Sequence, residues 1–155
     1  MNNLDYGIIG NCQSAALIST NGSWDWCCLP VFDSSSVFAK LLDDKIGGSF
    51  SFLVDESYTI SQKYLENTCI LVTTFTSDEG VFELGDFMPR YLKEAKKYHN
   101  PPEIVRYIKL ISGTPKFRVD YNPKLEYAKE ETVKYIKDDF IVSLTDVEKF
   151  DTLFL

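Results

Sequence analysis

The stretch NGSWDWCCLPVFDSS, residues 21–35, gathers Trp24, Trp26, Cys27, Cys28 and Phe32 with Asp25 and Asp33 behind an Asn-Gly turn. Such residues serve metal binding, thiol nucleophiles, acid–base carboxylate pairs, sugar platforms or simply a core. A metal is the poorest fit. Zinc ligands converge from C-x₂₋₄-C spacings with a second pair, whereas Cys27 and Cys28 are adjacent, and neighbours on a strand point to opposite faces. His99 is the chain's single histidine. Nothing in the sequence brings it within hydrogen-bond reach of Cys12, Cys27, Cys28 or Cys69, as an activated thiol requires. Neither a G-x-S-x-G elbow nor a G-x-G-x-x-G phosphate cradle is present, GIIGNC at 7–12 having the wrong glycine spacing. No metal and no cofactor is expected.

Carboxylates are harder to dismiss. Asp25, Asp33, Glu83, Asp86 and Glu103 supply candidates for acid and base, and glycoside hydrolysis needs two carboxyls about 5 to 9.5 Å apart. Sequence spacing does not report that distance. Asp25 and Asp33 also have structural work open to them, beside a hairpin and as a helix cap. For the sugar platform, strand alternation predicts Trp24, Trp26 and Cys28 on one face and Asp25 and Cys27 on the other. Such a tryptophan pair either grips a pyranose ring or fills a core, where tryptophan is usually found. Both readings stand at this point.

The scaffold that must position these residues reads as β-structure. Period-two alternation predicts strands in SYTISQKYL (57–65), CILVTTFT (69–76), VFELGDFM (81–88), EIVRYIKLI (103–111), KFRVDY (116–121) and TVKYIKDDFIVSLT (132–145), all rich in β-branched and aromatic residues. Turn residues punctuate them at Asn21-Gly22, Gly47-Gly48, Asp78-Glu79-Gly80, Pro101-Pro102 and Gly113-Thr114-Pro115. DSSSVFAKLLDD predicts one short helix near 35–43, with serine caps and with Val37, Phe38, Leu41 and Leu42 at helical spacing. The pattern as a whole indicates an all-β fold, an antiparallel β-sandwich.

Composition narrows the partners. A chain of 155 residues is long enough to bury roughly 70% of its unfolded surface. With 16 basic against 23 acidic residues the net charge is −7, which does not suit a polyanion that binds through phosphate neutralisation. Nucleic acid is therefore not expected as a partner, whereas a neutral sugar is compatible. The N-terminus carries Asp5 and no basic region, unlike a secretory signal. No apolar run approaches the ~20 residues of a membrane span. Cys12, Cys27, Cys28 and Cys69 then read as reduced thiols of a cytoplasmic protein. FDTLFL at 150–155 is a strand-like run unlike the polar ends of most chains, and suggests a piece of a longer polypeptide. If the sandwich is incomplete, an open sheet edge should promote self-association.

The stretch from Asp5, DYGIIGNCQSAALISTNGSWDWCCLPVFDSSSVFAKLLD, followed by IGGSF, QKYLENTCILVTTF, GDFMPR and PEIVRYIKLISG, resembles the opening of the microbial enzymes of glycoside hydrolase family fifteen. These are the glucoamylase, glucodextranase and trehalase types, and the likeness runs to about Tyr127. It implies an N-terminal supersandwich, incomplete at its C-terminus over residues 1–155, followed by a catalytic α/α barrel that carries two glutamates and inverts the anomeric centre. No catalytic residue is then expected within this chain. Its implied role is to pack on the barrel of the same polypeptide, whose substrate would be an α-glucan, trehalose or a related glucoside. Asn11, Trp26, Phe32 and Asp33 are the implied docking or pocket-rim residues. Val31 stands where the family has arginine, Ser35 where it has proline and Trp24 where it has isoleucine, and NPKLEYAKE (122–130) matches a Pro-Arg-Phe-Asp-Tyr-Gly pattern loosely. A valine cannot supply arginine's planar donor fork, so any role of that arginine is in doubt here. The alternatives are a stand-alone carbohydrate-binding module and, more remotely, a small hydrolase using its own carboxylate pair.

Overall fold

The structure, a computed structural model, describes residues 5–94, 97–145 and 152–154. One antiparallel sheet contains β1 (Tyr6–Gly10), β2 (Ala15–Ser19), β3 (Trp24–Cys28), β4 (Ser36–Phe38), β5 (Ser49–Leu53) and β12 (Arg118–Asn122), in the order β1-β2-β3-β5-β12 with β4 beside β3. A second contains β6 (Thr59–Tyr64), β7 (Leu71–Ser77), β8 (Gly80–Phe87) and β11 (Val105–Gly113), ordered β11-β8-β7-β6. β9 (Tyr91–Glu94) and β10 (Lys97–His99) make a separate hairpin, while β13 (Thr132–Lys137), β14 (Phe140–Thr145) and β15 (Thr152–Phe154) form a three-stranded sheet. The larger sheets face each other across Ile9, Ile18, Trp24, Phe50 and Phe52 from one side and Leu71, Phe75, Phe82 and Leu84 from the other. Phe75 and Phe82 stack at 4.5 Å between ring centres.

The expected all-β antiparallel sandwich is therefore observed. Each alternating run folds as β-strand, and TVKYIKDDFIVSLT divides into β13 and β14 at Asp138, which adopts φ 52°. Of FDTLFL, residues 152–154 form β15 against β14, and the remainder lies outside the described residues. At Asn21-Gly22 the chain reverses with Gly22 at φ 78°, a conformation that glycine adopts without steric cost.

The helix expected near 35–43 is not formed. Ser36–Phe38 pairs with β3 instead, and Val37 and Phe38 enter the sandwich core. The amides of Ala39, Lys40 and Leu41 donate to the carbonyls of Gly47, Gly48 and Asp25 rather than to helical acceptors. Burial of Phe38 against Trp24 and Tyr121 outweighs a weak helical propensity. The loop then closes tightly on Gly47, where an added Cβ would lie 2.2 Å from the Ala39 carbonyl oxygen.

Across the sandwich the sheets are joined by charge. Arg106 on β11 donates from Nε to Asp86 Oδ1 at 2.7 Å and from Nη2 to Asp86 Oδ2 at 2.9 Å. Its remaining donors cross to the facing sheet, reaching the carbonyl of Phe50 at 3.1 Å and that of Gly22 at 2.6 Å. The Trp24 indole N–H returns to Asp86 Oδ1 at 3.2 Å. Both charged side chains are buried, 3% and 0% exposed.

The sandwich is uneven at its sides. On the β1/β6 side, Tyr64 Oη donates to the Ile8 carbonyl and accepts from the Ile8 amide, and Gln62 Nε2 donates to the Ser19 carbonyl and to Thr73. On the β11/β12 side the apolar interior runs out into solvent. Ile108 and Leu110 share the inward face of Arg106 and pair with buried Leu84 and Phe82, yet are 49% and 62% exposed. Opposite them Phe117 and Val119 are 38% and 48% exposed.

Breaking the ion pair should leave a buried charge without its partner. Arg106→Met is expected to destabilise the fold by about 3–5 kcal/mol, the usual cost of orphaning a buried charge. The double variant Arg106→Met/Asp86→Leu should lose less than the sum of the single changes. Urea denaturation of the four proteins measures both; additive losses would mean that the two groups act independently.

Candidate functional site

At one end of the sandwich, several loops are locked together around Asn11. Asn11 Oδ1 accepts from the amides of Gln13 and Ser14 at 3.0 and 3.1 Å, closing the β1–β2 turn, while Nδ2 donates to the Pro101 carbonyl at 2.8 Å. Cys12, at φ 71°, completes the turn. From there the Gln13 carbonyl accepts the Phe32 amide at 2.9 Å, and Ser14 Oγ donates to the Cys28 carbonyl. Buried Asn11 therefore holds the Phe32 loop and the segment at Pro101 in register with β1 and β2.

The expected face of β3 is corrected by a bulge. Ile18 pairs with Trp24 but Leu17 with Trp26, so Asp25 is an extra residue and the alternation restarts beyond it. Trp24 and Cys27 consequently join the core, and Trp26 does not share their face. A second irregularity lies in β4, where Cys27 pairs with Phe38 and Cys28 with Ser36, so that Val37 is the extra residue. Trp26 lies half-buried beside Tyr127, with 6.4 Å between ring centres. The two tryptophans are thus not one platform. One is core, and the other is part of an aromatic pair at the loop end.

Tyr127 is the residue that sequence reasoning missed. It stands in a turn of Glu126, Tyr127 and Ala128 at φ 54°, 57° and 57°, a left-handed run that non-glycine residues seldom adopt. Side chains hold it there. Ser35 Oγ donates to Glu126 Oε2 at 2.8 Å, and Tyr127 Oη donates to the Ser34 carbonyl at 3.4 Å. The one available signal was the loose pattern match at 122–130; ordinary propensity gives no hint of such a turn. Phe32, 61% exposed, and Asp33, also exposed, stand in the 31–35 loop whose Ser34 and Ser35 hold this turn. Of the four site residues expected, Asn11 and Phe32 are joined through the β1–β2 turn, and Trp26 reaches the same 31–35 loop through Tyr127.

The remaining chemistry is structural. Asp25 is buried, accepting from Ser23 Oγ and from Tyr6 Oη, with Lys40 at 3.9 Å. Burial first, then the adjacent Asp25 charge, raises the Tyr6 phenol above its ordinary range. Asp86 is consumed by Arg106 and Trp24, Glu83 meets Thr74 at 3.4 Å, and Asp33 and Glu103 are exposed. Burial pushes the Cys27 thiol up to about 12. Cys28 is raised by burial too, with the Tyr127 hydrogen bond working in the opposite direction. Neither is poised as a thiolate nucleophile. Among the described residues no group of three or more His, Cys, Asp or Glu gathers where it could hold a metal, and no helix is long and apolar enough to cross a membrane.

The fold and this end cluster define an antiparallel β-sandwich domain whose candidate surface is made by interlocked loops. Residues 5–147 match the family model described as trehalase-like, N-terminal, and the chain belongs to that family. It is similar to a trehalase of Thermoplasma volcanium, 32% identical over 146 residues that cover 92% of this chain and 23% of that protein. Trehalase 1 of Sulfolobus acidocaldarius is 46% identical over 83 residues, 54% of this chain and 14% of the relative. A trehalase of Mycolicibacterium smegmatis is 27% identical over 135 residues, 79% of this chain and 20% of its own length. The chain thus spans less than a quarter of these relatives. No solved structure matches it with significance.

The Cys27 environment has a measurable consequence. Its thiol moves from an ordinary 9.0 to about 12 on folding, so the folded state holds the proton more tightly. The corresponding stability is intact below pH 9 and falls as pH rises towards 12. About 2 kcal/mol should be lost through this group by about pH 10.5. Urea midpoints at pH 8 and 10.5 should show a smaller alkaline loss in Cys27→Ala than in the parent. Equal losses would remove the assignment.

Proposed function

We propose that this chain is the non-catalytic N-terminal β-sandwich of an inverting glycoside hydrolase of family fifteen, acting on trehalose or a related α-glucoside. It packs against the catalytic α/α barrel of the same polypeptide and shapes the rim of its pocket. The observation that carries this reading is the β11/β12 side, where Ile108, Leu110 and Val119 continue the inward faces of both sheets into solvent and Phe117, packed on Phe52 and Phe82, is still 38% exposed. Exposed apolar surface of this kind marks a place where further protein packs. The trehalase relatives carry more than three quarters of their length outside the matched region, which is where such cover would come from. Four free thiols among the described residues suit a reducing, cytoplasmic setting.

Within this reading the Asn11 turn organises the surface, and Phe32, Asp33, Trp26 and Tyr127 present it. In the full-length polypeptide, Phe32→Ser with Asp33→Ala should raise KM for trehalose about three- to tenfold, the effect of about 0.7–1.4 kcal/mol, with kcat little changed. Initial-rate kinetics and a thermal midpoint test this together. If KM and midpoint both stay at the parent values, the loop contacts neither substrate nor barrel.

The second reading, a carbohydrate-binding module, is favoured by the Trp26–Tyr127 pair, an aromatic surface flanked by Lys129, whose Nζ lies 5.9 Å from the Tyr127 ring centre. Titration of residues 1–155 with trehalose and maltooligosaccharides, followed by tryptophan fluorescence, separates the readings. A saturable change absent in Trp26→Phe supports the module; a flat titration supports the packing role.

A further inference from the structure

On the outer face of the β11-β8-β7-β6 sheet one tyrosine lies flat. Tyr107 of β11 stands opposite Gly85 of β8, and Gly85 opposite Val72 of β7. Their chain neighbours Leu84, Asp86 and Thr73 are buried inside the sandwich, so alternation turns these three outward. A side-chain carbon added at Gly85 would meet Tyr107 first at Cζ, before the flanking Cε1 and Oη. An approach from the rim would meet the flanking atoms first. The face of the ring therefore rests on the Gly85 backbone. Glycine weakens a strand and marks places of close approach; here any side chain at 85 would lift the ring. With one face sealed, the 40% exposure of Tyr107 belongs to the other face and the rim.

Beside the ring runs a polar row. Lys109, Glu83 and Thr74 stand opposite one another on the same outer face, two residues along from Tyr107, Gly85 and Val72. That spacing is about 7 Å. Lys109 and Glu83 face each other across neighbouring strands, yet the ion pairs among the described residues lie elsewhere, and Glu83 meets Thr74 at a long 3.4 Å. An ammonium and a carboxylate are thus both left to bond outward. On the ring's other side Val105 and Phe87 are half-buried. The open apolar ground is small. A tyrosine covers about 150–250 Å², so 40% of it is roughly 60–100 Å², against ~800 Å² per partner in a stable protein interface.

This combination selects a ligand. The open ring face attracts C–H groups through its negative quadrupole, and a rigid tyrosine loses little conformational freedom in holding them. The adjoining ammonium only donates and the carboxylate only accepts, so the edge of the ligand must do both while carrying no charge. A pyranose has that form, with C–H groups on a flat face and hydroxyls around its rim. We propose that Tyr107, Glu83 and Lys109 form a non-catalytic pyranose site on the outer face of β8 and β11, which takes one ring of a neutral glucoside. Trp26 belongs to the other sheet, so this site is separate from the loop-end cluster. It does not depend on the packing role; only the choice of an α-glucoside as its ligand rests on the reading above.

Hydroxyl-radical footprinting of the full-length polypeptide, read residue by residue by mass spectrometry, tests this. Tyr64 and Tyr135, each 44% exposed, serve as references for the radical dose. Maltoheptaose or trehalose, at concentrations on the order of millimolar, should lower the oxidation of Tyr107 saturably while the references keep their ratio. Glu83→Gln with Lys109→Ala leaves the ring in place and should raise the half-protecting concentration about tenfold. Unchanged oxidation of Tyr107 would overturn the site, as would protection that the double variant leaves at the parent concentration. A Tyr107 unreactive without any sugar would also overturn it, and would assign this face to contact with the rest of the polypeptide. Protection by cellohexaose but by neither α-glucoside would uphold the pyranose site and count against the α-glucoside reading alone.

Discussion

The structure depends on one buried guanidinium. Arg106 projects from β11 into the space between the sheets, and every bond it makes has a consequence for register. Its fork on Asp86 fixes β11 against β8, and its bonds to the Phe50 and Gly22 carbonyls fix that pair against β5 and the β2–β3 turn. The rings of Trp24, Phe50 and Phe52 surround it at 4.5, 5.0 and 5.6 Å. Removing two charges from water is costly, and a buried pair seldom adds much net stability over well-packed apolar side chains. What it supplies is specificity. A register slip by one residue turns each strand's faces over, and here it would also leave a charge without its partner.

That constraint sits near the boundary between covered and uncovered interior. On one side of Arg106 lie Trp24 and the closed core; on the other, Ile108 and Leu110 continue the same face into solvent. The opposite flank is tied across by Tyr64 and Gln62, with Ile8 and Tyr64 still exposed beside an open cavity lined by Tyr6, Ile60 and Leu71. The sandwich therefore has a side tied by hydrogen bonds, a side where its interior runs out into solvent, and an end of interlocked loops. Its contact surfaces are distributed accordingly.

The loop end illustrates how little a site owes to regular structure. A bulge at Asp25 divides the tryptophans between core and surface. A left-handed turn then brings Tyr127 against the surface tryptophan, held by Ser34 and Ser35. Residues in such conformations persist when their surroundings over-determine them, and they concentrate where a chain must present a side chain at a set angle. The β9–β10 hairpin grows from the same end, because Asn11 bonds to its root.

By itself the sequence determined the class of fold. Alternation in KFRVDY or VFELGDFM is a local property, since successive side chains on a strand point to opposite faces wherever that strand is placed. Glycine turns such as Asn21-Gly22 are equally local, and so is the arithmetic that left the cysteines without a metal-binding spacing. The choice of Asn11, Trp26, Phe32 and Asp33 came instead from the family resemblance, not from any local rule. What tertiary structure alone decided are the matters of partnership. Val37 and Phe38 became strand rather than helix because β3 and the core offered more than an isolated turn of helix could. Asp86 was taken out of the pool of candidate acids by Arg106, 20 residues away, and Asn11 found its acceptor 90 residues away at Pro101. Neither periodicity nor propensity encodes such distances: a buried polar group needs a partner, and only the folded chain can bring one to it.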